Sequence, residues 1–448
     1  MNEYRNREMS RQLFGTDGIR GKAGDPPLDR RHAYALGVAL AGWIQERGLH
    51  PKVVIGMDTR ESGMWLAGSV AQGLQTQKVD VDFAGVVTTP GVAFLSRTDH
   101  YAAGVMISAS HNPFEDNGLK VFGHSGYKMP DEDEAGLESA MFAWLAKGEP
   151  ASEAVLFADE SLDRKYISFL ESTITGRLDG LHLVIDCANG AASKLAPTLF
   201  SELGARVTAI GNTPDGRNIN LNCGSQHLDG LRDRVLAEHA DLGIAFDGDA
   251  DRAMFVAGSG KIIDGDAVML VTGVAMRVKG VVATVMSNLG LEKAFAAHGI
   301  EMIRANVGDK YVLEEMIKRD LMLGGEQSGH VIFREFATTG DGMLTALRLL
   351  AVIRQSGKTL DELTSELVVY PQILVNVRVR ERRPLAELPV VRDEIAAAER
   401  AFDGSGRVLV RFSGTEPLAR VMIEGADKAM VDDWAHRIAD TIRQELGG

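Results

Sequence analysis

Through the first three quarters of the chain, hydrophobic and polar positions follow two patterns in turn. Short apolar runs at Val53 to Ile55, Gly104 to Ile107, Leu183 to Ile185, Leu242 to Phe246 and Val282 to Met286 each end in polar or turn-forming residues. Longer amphipathic stretches lie between them, at 30–47, 64–77, 193–203 and 228–239, with Gly48 and Gly204 just past two of the ends. Short apolar runs bounded by turn signals read as buried strands, and the amphipathic stretches as helices, so the alternation predicts an α/β fold. The pattern changes after Pro371. Apolar runs at 373–379, 408–411 and 420–424, with helical stretches at 391–401 and 431–446, predict a small α+β domain.

At 448 residues the chain is longer than a single hydrophobic core usually supports, which predicts two to four domains. Joints are expected in the acidic stretch Asp131 to Glu160, near Gly258 to Gly260, and at Tyr370 and Pro371. No apolar run reaches the roughly 18 to 20 residues needed to cross a bilayer. Met1 to Gln12 is polar, with no apolar segment of a secretory signal, so no membrane partner is expected. Cys187 and Cys223 are far apart in sequence and form no CxxC spacing, which argues for a reducing cytoplasm and against a zinc site. A net charge of −14 disfavours nucleic acid as a partner.

Four strings concentrate the chemistry. FDGDAD at 246–251 places Asp247, Asp249 and Asp251 at alternate positions directly after an apolar strand. Residues two apart in extended chain share a face, and three clustered carboxylates repel unless a cation or protons join them; a hard divalent ion such as Mg2+ meets that need. A solvated acidic turn is the plainer alternative. SASHNPFEDNGLK at 108–120 puts Ser110 beside His111 on a turn forced by Asn112 and Pro113, with Lys120 at the end of the string as a proton donor or phosphate partner. RFSGTEP at 411–417 gathers Arg411, Ser413, Gly414 and Thr415, the mixture of guanidinium, hydroxyl and amide donors that encloses a phosphate, with Arg420 just beyond. GEQSGH at 325–330 spaces Glu326, Ser328 and His330 alternately, as for one polyhydroxyl ligand or a polar edge strand. GSGK at 258–261 lacks the spacing of a P-loop, and GxSxG and HExxH are absent.

Together these strings, with FGTDGIRG at 14–21, TTGDGM at 338–343 and VYPQILVNV at 369–377, resemble the alpha-D-phosphohexomutase superfamily along almost the whole chain. The resemblance implies three similar mixed-sheet α/β domains and a C-terminal α+β (TATA-box-binding-protein-like) domain around a central cleft, with boundaries 1–156, 157–257, 258–370 and 371–448. It implies a cytoplasmic enzyme acting on a hexosamine phosphate through phosphoserine at Ser110 and a sugar 1,6-bisphosphate, feeding nucleotide-sugar and cell-wall precursor synthesis. Mannose or glucose phosphate is the alternative substrate, and a non-catalytic sugar-phosphate sensor the alternative role. One Mg2+ would be held by Asp247, Asp249, Asp251 and the Ser110 phosphate. Arg20, Lys120, Arg252 and His330 would lie near the transferring group, with Lys120 first and His111 second as general acid/base. Glu326 and Ser328 would hold the sugar, Arg411, Ser413, Gly414, Thr415 and Arg420 its phosphate, and a homodimer is implied. Two positions depart from the family pattern: Ala250 stands where glycine is common, and Lys310, in NVGDKYV, where arginine is.

Overall fold

The runs at Val53 and Gly104 become neighbouring parallel strands, Lys52–Met57 and Ala103–Ile107, whose side chains are almost all buried. Asp80–Val86 extends the sheet in parallel on one side, while Asp116–Gly123 and Gly18–Lys22 continue it antiparallel on the other, with Phe14–Gly15 at the far edge. Helices Arg30–Glu46 and Gly63–Thr76 pack on this six-stranded mixed sheet, and Leu36, Leu40, Leu66 and Val70 are fully buried with Val53, Ile55 and Val105. The Asp29 side chain starts the first helix by accepting from the His32 amide. This computed structural model describes residues 12–447 apart from 16, 99, 382, 385, 386 and 413–416.

A second mixed sheet has the order Ile262–Ile263, Ala253–Ala257, Leu242–Phe246, His182–Asp186, Arg206–Ile210. Its last three strands are parallel and its first three antiparallel. The turn at Gly258 to Gly260 closes the hairpin between the first two strands, so this sheet runs past that expected joint to Ile263. A third sheet has the order Glu301–Ala305, Gly280–Thr284, Leu323–Gly325, Val331–Phe333. Its strand Gly280–Thr284 begins and ends two residues before the run expected there.

One expectation is narrowed and one corrected. The acidic stretch from Asp131 opens with a helix, Asp131–Ala146, and only 147–159 connects. Four acidic residues in its first turn are favourable where the helix dipole is positive, so acidity there reads as a helix start as well as a linker. GEQSGH is not an edge strand. It is a tight turn between the antiparallel strands Leu323–Gly325 and Val331–Phe333, with Gly329 at φ +91.

The residues divide into two compact units, Met1–Val285 with Ile303–Thr364, and Met286–Met302 with Ser365–Gly448. The second unit holds a three-stranded antiparallel sheet, Gln372–Arg378, Leu418–Gly425, Gly406–Phe412, with helices Pro389–Phe402 and Lys428–Leu446. Val391, Phe402, Val421, Ile438 and Ile442 are buried in its core. Helix Leu289–Ala297 also belongs to it: Asn288 donates to the Tyr370 carbonyl at 3.0 Å and accepts from the Tyr370 amide at 2.9 Å.

Candidate active site

In the first unit the functional side chains follow the carboxyl ends of parallel strands, where open α/β sheets place their ligands. Asp58 and Ser108 come directly after the adjacent strands Lys52–Met57 and Ala103–Ile107. The Ser108 hydroxyl donates to Asp58 at 2.5 Å and accepts from the Ser110 amide at 2.9 Å. Arg60, buried and paired with Asp58, donates to the carbonyls of Ser110 at 3.1 Å and Asn112 at 2.6 Å. Asn220 donates to the same two carbonyls. These bonds fix Ser110 in the left-handed region, φ +54, with its side chain buried. Strain of this kind persists only where its surroundings over-determine it.

The Ser110 hydroxyl donates to Asp247 Oδ2 at 2.5 Å and lies 3.3 Å from His111 Nδ1. Asp247 directly follows the second sheet's strand Leu242–Phe246 and begins the turn that carries Asp249 and Asp251. Gly248 lets this turn approach the serine: a Cβ there would lie 2.5 Å from the Ser110 carbonyl oxygen. One oxygen from each of Asp247, Asp249 and Asp251 lies within 4.8 Å of the other two, and all three residues are buried. At that separation each pair of full charges would repel by roughly 3 kcal/mol at an effective dielectric near 20.

The electrostatics divide the three unequally. Burial, then Asp251 and Asp249, pushes the Asp247 carboxyl well above the usual carboxylate range. Burial and Asp249 also raise Asp251. Burial acts the same way on Asp249, but Lys120 and the Thr89 hydroxyl reverse it and hold that carboxyl low. Lys120 lies 2.9 Å from Asp249, and Thr89 donates to it at 2.5 Å from the start of helix Thr89–Ser96. Asp249 Oδ1 and Asp251 Oδ1 are buried without a hydrogen-bond partner. Three converging carboxylates with unpartnered oxygens fit a hard divalent cation.

Cations surround the cluster. Lys120, on strand Asp116–Gly123, is buried among Asp249 at 2.9 Å, Asp17 at 3.0 Å and Asp251 at 3.9 Å; burial opposes its charge, yet Asp17 and the two loop carboxylates hold its pKa raised. Arg20 pairs with Asp17. Arg252 Nε stands 3.8 Å from Asp251, and the charge of Glu326 helps raise the pKa of Arg252. His111 is held neutral, its pKa lowered to about 4 by burial and then by Arg252 and Arg20. His330 is buried with both ring nitrogens lacking a hydrogen bond and Nε2 3.7 Å from Asp309. Its ring lies on Gly340, where an added Cβ would come within 2.5 Å. Glu326 accepts from the Gly308 amide at 3.1 Å, while Ser328 is exposed on the turn.

Ser110, His111, Arg20, Lys120, Arg252, Asp247, Asp249, Asp251, Glu326, Ser328 and His330 thus all lie in the first unit. Of the expected phosphate grip, Arg411 and Arg420 belong to the second unit, where they pair across strands Gly406–Phe412 and Leu418–Gly425. Burial and the Arg420 charge lower the Arg411 pKa. Ser413, Gly414 and Thr415 lie outside the described residues.

Known proteins match this arrangement over its whole length. Profiles of the phosphoglucomutase/phosphomannomutase alpha/beta/alpha domains I, II and III match residues 11–147, 164–260 and 264–370, and that of the C-terminal domain matches 374–441. A phosphoglucosamine mutase of Solibacter usitatus is 57% identical over 445 residues, covering 98% of this chain and 100% of the relative. The chain belongs to the phosphoglucomutase/phosphomannomutase family. It is an enzyme of the mutase class, within the alpha-D-phosphohexomutase superfamily.

Solved structures of the family share the fold. A phosphoglucomutase/phosphomannomutase family protein of Burkholderia thailandensis superposes with TM-score 0.79 at 24% identity, covering 96% of this chain and 97% of that one. The Aspergillus fumigatus N-acetylphosphoglucosamine mutase, solved with GlcNAc-6P and magnesium, gives 0.65 at 19% identity over 96% of this chain's relative and 97% of this chain.

The sequence alone did not single out Asp17, Asp58, Arg60, Thr89, Asn220 and Asp309. Asp17 lies inside FGTDGIRG and Asp309 inside NVGDKYV, so two of them stood within strings already quoted. The others carry no local signal.

Proposed function

We propose that this mutase interconverts glucosamine 6-phosphate and glucosamine 1-phosphate by phosphoryl transfer through Ser110. The observation that carries the reading is the Ser110 hydroxyl 2.5 Å from Asp247, in a cluster of three carboxylates ringed by Lys120, Arg20 and Arg252. The full-length relative at 57% identity supports the amino sugar.

Phosphoserine at 110 gives its phosphoryl group to the free hydroxyl of the sugar phosphate: the P–Oγ bond breaks as Oγ takes a proton from an acid, a P–O bond to the sugar forms, and the sugar hydroxyl proton passes to a base. The sugar 1,6-bisphosphate turns end for end. The Ser110 hydroxyl then takes back the other phosphoryl group, giving its proton to the group that had protonated it, while the proton held by the base goes to the departing sugar oxygen. Lys120, held charged, serves as the acid at the leaving oxygen and His111, held neutral, can take a proton; His330, with neither ring nitrogen hydrogen-bonded, is the third candidate. Arg20 and Arg252 offset the charge of the transferring group, and Glu326 and Ser328 hold ring hydroxyls. Arg411 and Arg420, with Ser413, Gly414 and Thr415, grip the phosphate that does not react.

Asp247, Asp249 and Asp251, with the Ser110 phosphate, would hold one Mg2+ per chain, which would supply charge stabilisation for the transfer. The reading includes four domains, divided at 156/157 and 370/371 as expected, with the middle boundary moved from 257/258 to beyond Ile263, the last strand residue of the second sheet. The reading includes a cytoplasmic location; no helix among the described residues is long and apolar enough to cross a membrane. Val155 and Phe157, 81% and 84% exposed, are apolar surface that a second copy would cover in the homodimer we favour.

A coupled assay with glucosamine, glucose and mannose phosphates at matched concentrations tests the substrate. Preference for glucosamine phosphate is expected. Preference for mannose or glucose phosphate would move the enzyme to that branch, and absence of turnover on all three would leave a sensor.

A further inference from the structure

Lys128 lies outside the reacting cluster, yet its ammonium meets two carboxylates that belong to different parts of the first unit. One is Asp17, between strands Phe14–Gly15 and Gly18–Lys22; the other is Asp309, in the first turn of helix Asp309–Lys318. On one side, Asp17 continues to Lys120 Nζ at 3.0 Å. On the other, Asp309 stands 3.7 Å from His330 Nε2, and the adjoining Gly308 amide donates to Glu326 Oε1 at 3.1 Å. Alternating charges therefore run from the acid beside the carboxylate cluster to the turn that presents Glu326 and His330.

The backbone gives Lys128 little freedom. Residues 127–129 return antiparallel to strand Asp116–Gly123, with Gly123 donating to the Tyr127 carbonyl at 2.9 Å, Met129 to that of Val121 at 3.1 Å, and Lys128 bridged to Phe122. Lys128 thus rides on the strand that carries Lys120. A second ion pair, Lys310 with Asp131, joins the same two segments with the charges reversed. Asp131 is 54% exposed, so that pair is screened and contributes little, whereas the Lys128, Asp17 and Asp309 side chains keep only 21%, 20% and 19% of their exposure. Without the ammonium, Asp17 and Asp309 would face each other as two partly buried carboxylates and repel.

We propose that Lys128 is a positioning residue for phosphoryl transfer: it holds the segment bearing Glu326 and His330 in register with Arg20 and Lys120. The proposal rests on the mutase reading above. Misplacement of a catalytic group by about 1 Å costs on the order of 100-fold, so an ion pair that fixes two segments reaches turnover without touching substrate.

The test uses the full-length chain as Lys128→Met, Lys128→Arg and Asp309→Asn, with kcat and KM for glucosamine 6-phosphate, phosphoserine content by intact mass, and amide hydrogen exchange. Lys128→Met should lower kcat by roughly 10- to 100-fold with KM within about 3-fold, and speed exchange at 308–312 and 326–330. Lys128→Arg, whose guanidinium can span both carboxylates, should recover kcat to within about 5-fold of wild type. Asp309→Asn should act in the direction of Lys128→Met, and it carries the test with Lys128→Arg should the methionine variant not fold. Wild-type kcat with unchanged exchange in Lys128→Met, or a fall in Tm without a fall in kcat, overturns the proposal. A wild-type protein inactive on all three sugar phosphates would defeat the mutase reading instead; exchange then decides Lys128 alone, and unchanged exchange at 308–312 and 326–330 refutes it.

Discussion

The carboxylate turn at 247–251 and the arginine pair at 411 and 420 pose the same electrostatic problem with opposite signs. Each crowds like charges where folding alone would keep them apart. The turn is partly neutralised from within: Lys120 and Thr89 stabilise the charge on Asp249, while Asp247 and Asp251 are pushed toward their protonated forms. The arginines stand opposite each other on paired strands, and burial with mutual repulsion lowers the Arg411 pKa. Like charges crowded together suit a ligand of the other sign, a cation in the turn and an anion at the arginines. Damage to the first should therefore strike chemistry and damage to the second should strike binding.

The sharpest break is at the serine the turn faces. Ser110→Ala should lose on the order of 1,000-fold or more in turnover, and the covalent phosphate should disappear from the intact mass. Next is Asp249→Ala, which removes a carboxylate and the nearest of the partners of Lys120; kcat should fall roughly 100- to 1,000-fold and no longer respond to Mg2+ titration or to its removal by chelator. A variant that still needs Mg2+ at the wild-type concentration would show that Asp249 is no ligand.

Arg411→Ala should split the other way, raising KM for the sugar phosphate about 10- to 100-fold with kcat within a few-fold, and steady-state kinetics would reveal it. An unchanged KM would remove Arg411 from the phosphate grip. The smallest effect expected is in the turn's backbone. Ala250 sits at φ +55, which costs an L-residue roughly 1–2 kcal/mol and glycine very little, so Ala250→Gly should gain up to about 1 kcal/mol after glycine's greater chain entropy is counted. Thermal or urea unfolding would measure it, with kcat expected within about 2-fold.

Much of this was legible because it is local. The triad Asp247, Asp249, Asp251 is set by three alternate positions after one apolar strand, and the serine by a turn after another. Strands buried on both faces, such as Leu242–Phe246, read as continuous apolar runs, and the change of pattern at Pro371 marks the start of the antiparallel sheet. What escaped was long-range or ambiguous in kind. Lys128 meets Asp17 and Asp309 across 111 and 181 residues, and nothing near Lys128 in sequence announces either partner. The Asp58 and Arg60 pair acts by holding carbonyls, which leave no side-chain pattern. The acidic start of helix Asp131–Ala146 has the composition of a linker, and Glu326, Ser328 and His330 have the spacing of a strand although glycines bend them into a turn.

The central claim is that the phosphoryl group passes through Ser110, and a labelled transfer tests it most directly. Protein carrying isotopically labelled phosphoserine, with its occupancy measured by intact mass, is mixed with unlabelled glucosamine 6-phosphate for a few turnovers. Transfer through Ser110 predicts label in the glucosamine 1-phosphate formed and unlabelled phosphate left on the protein. Product formed at full rate while the label stays on Ser110 would contradict it.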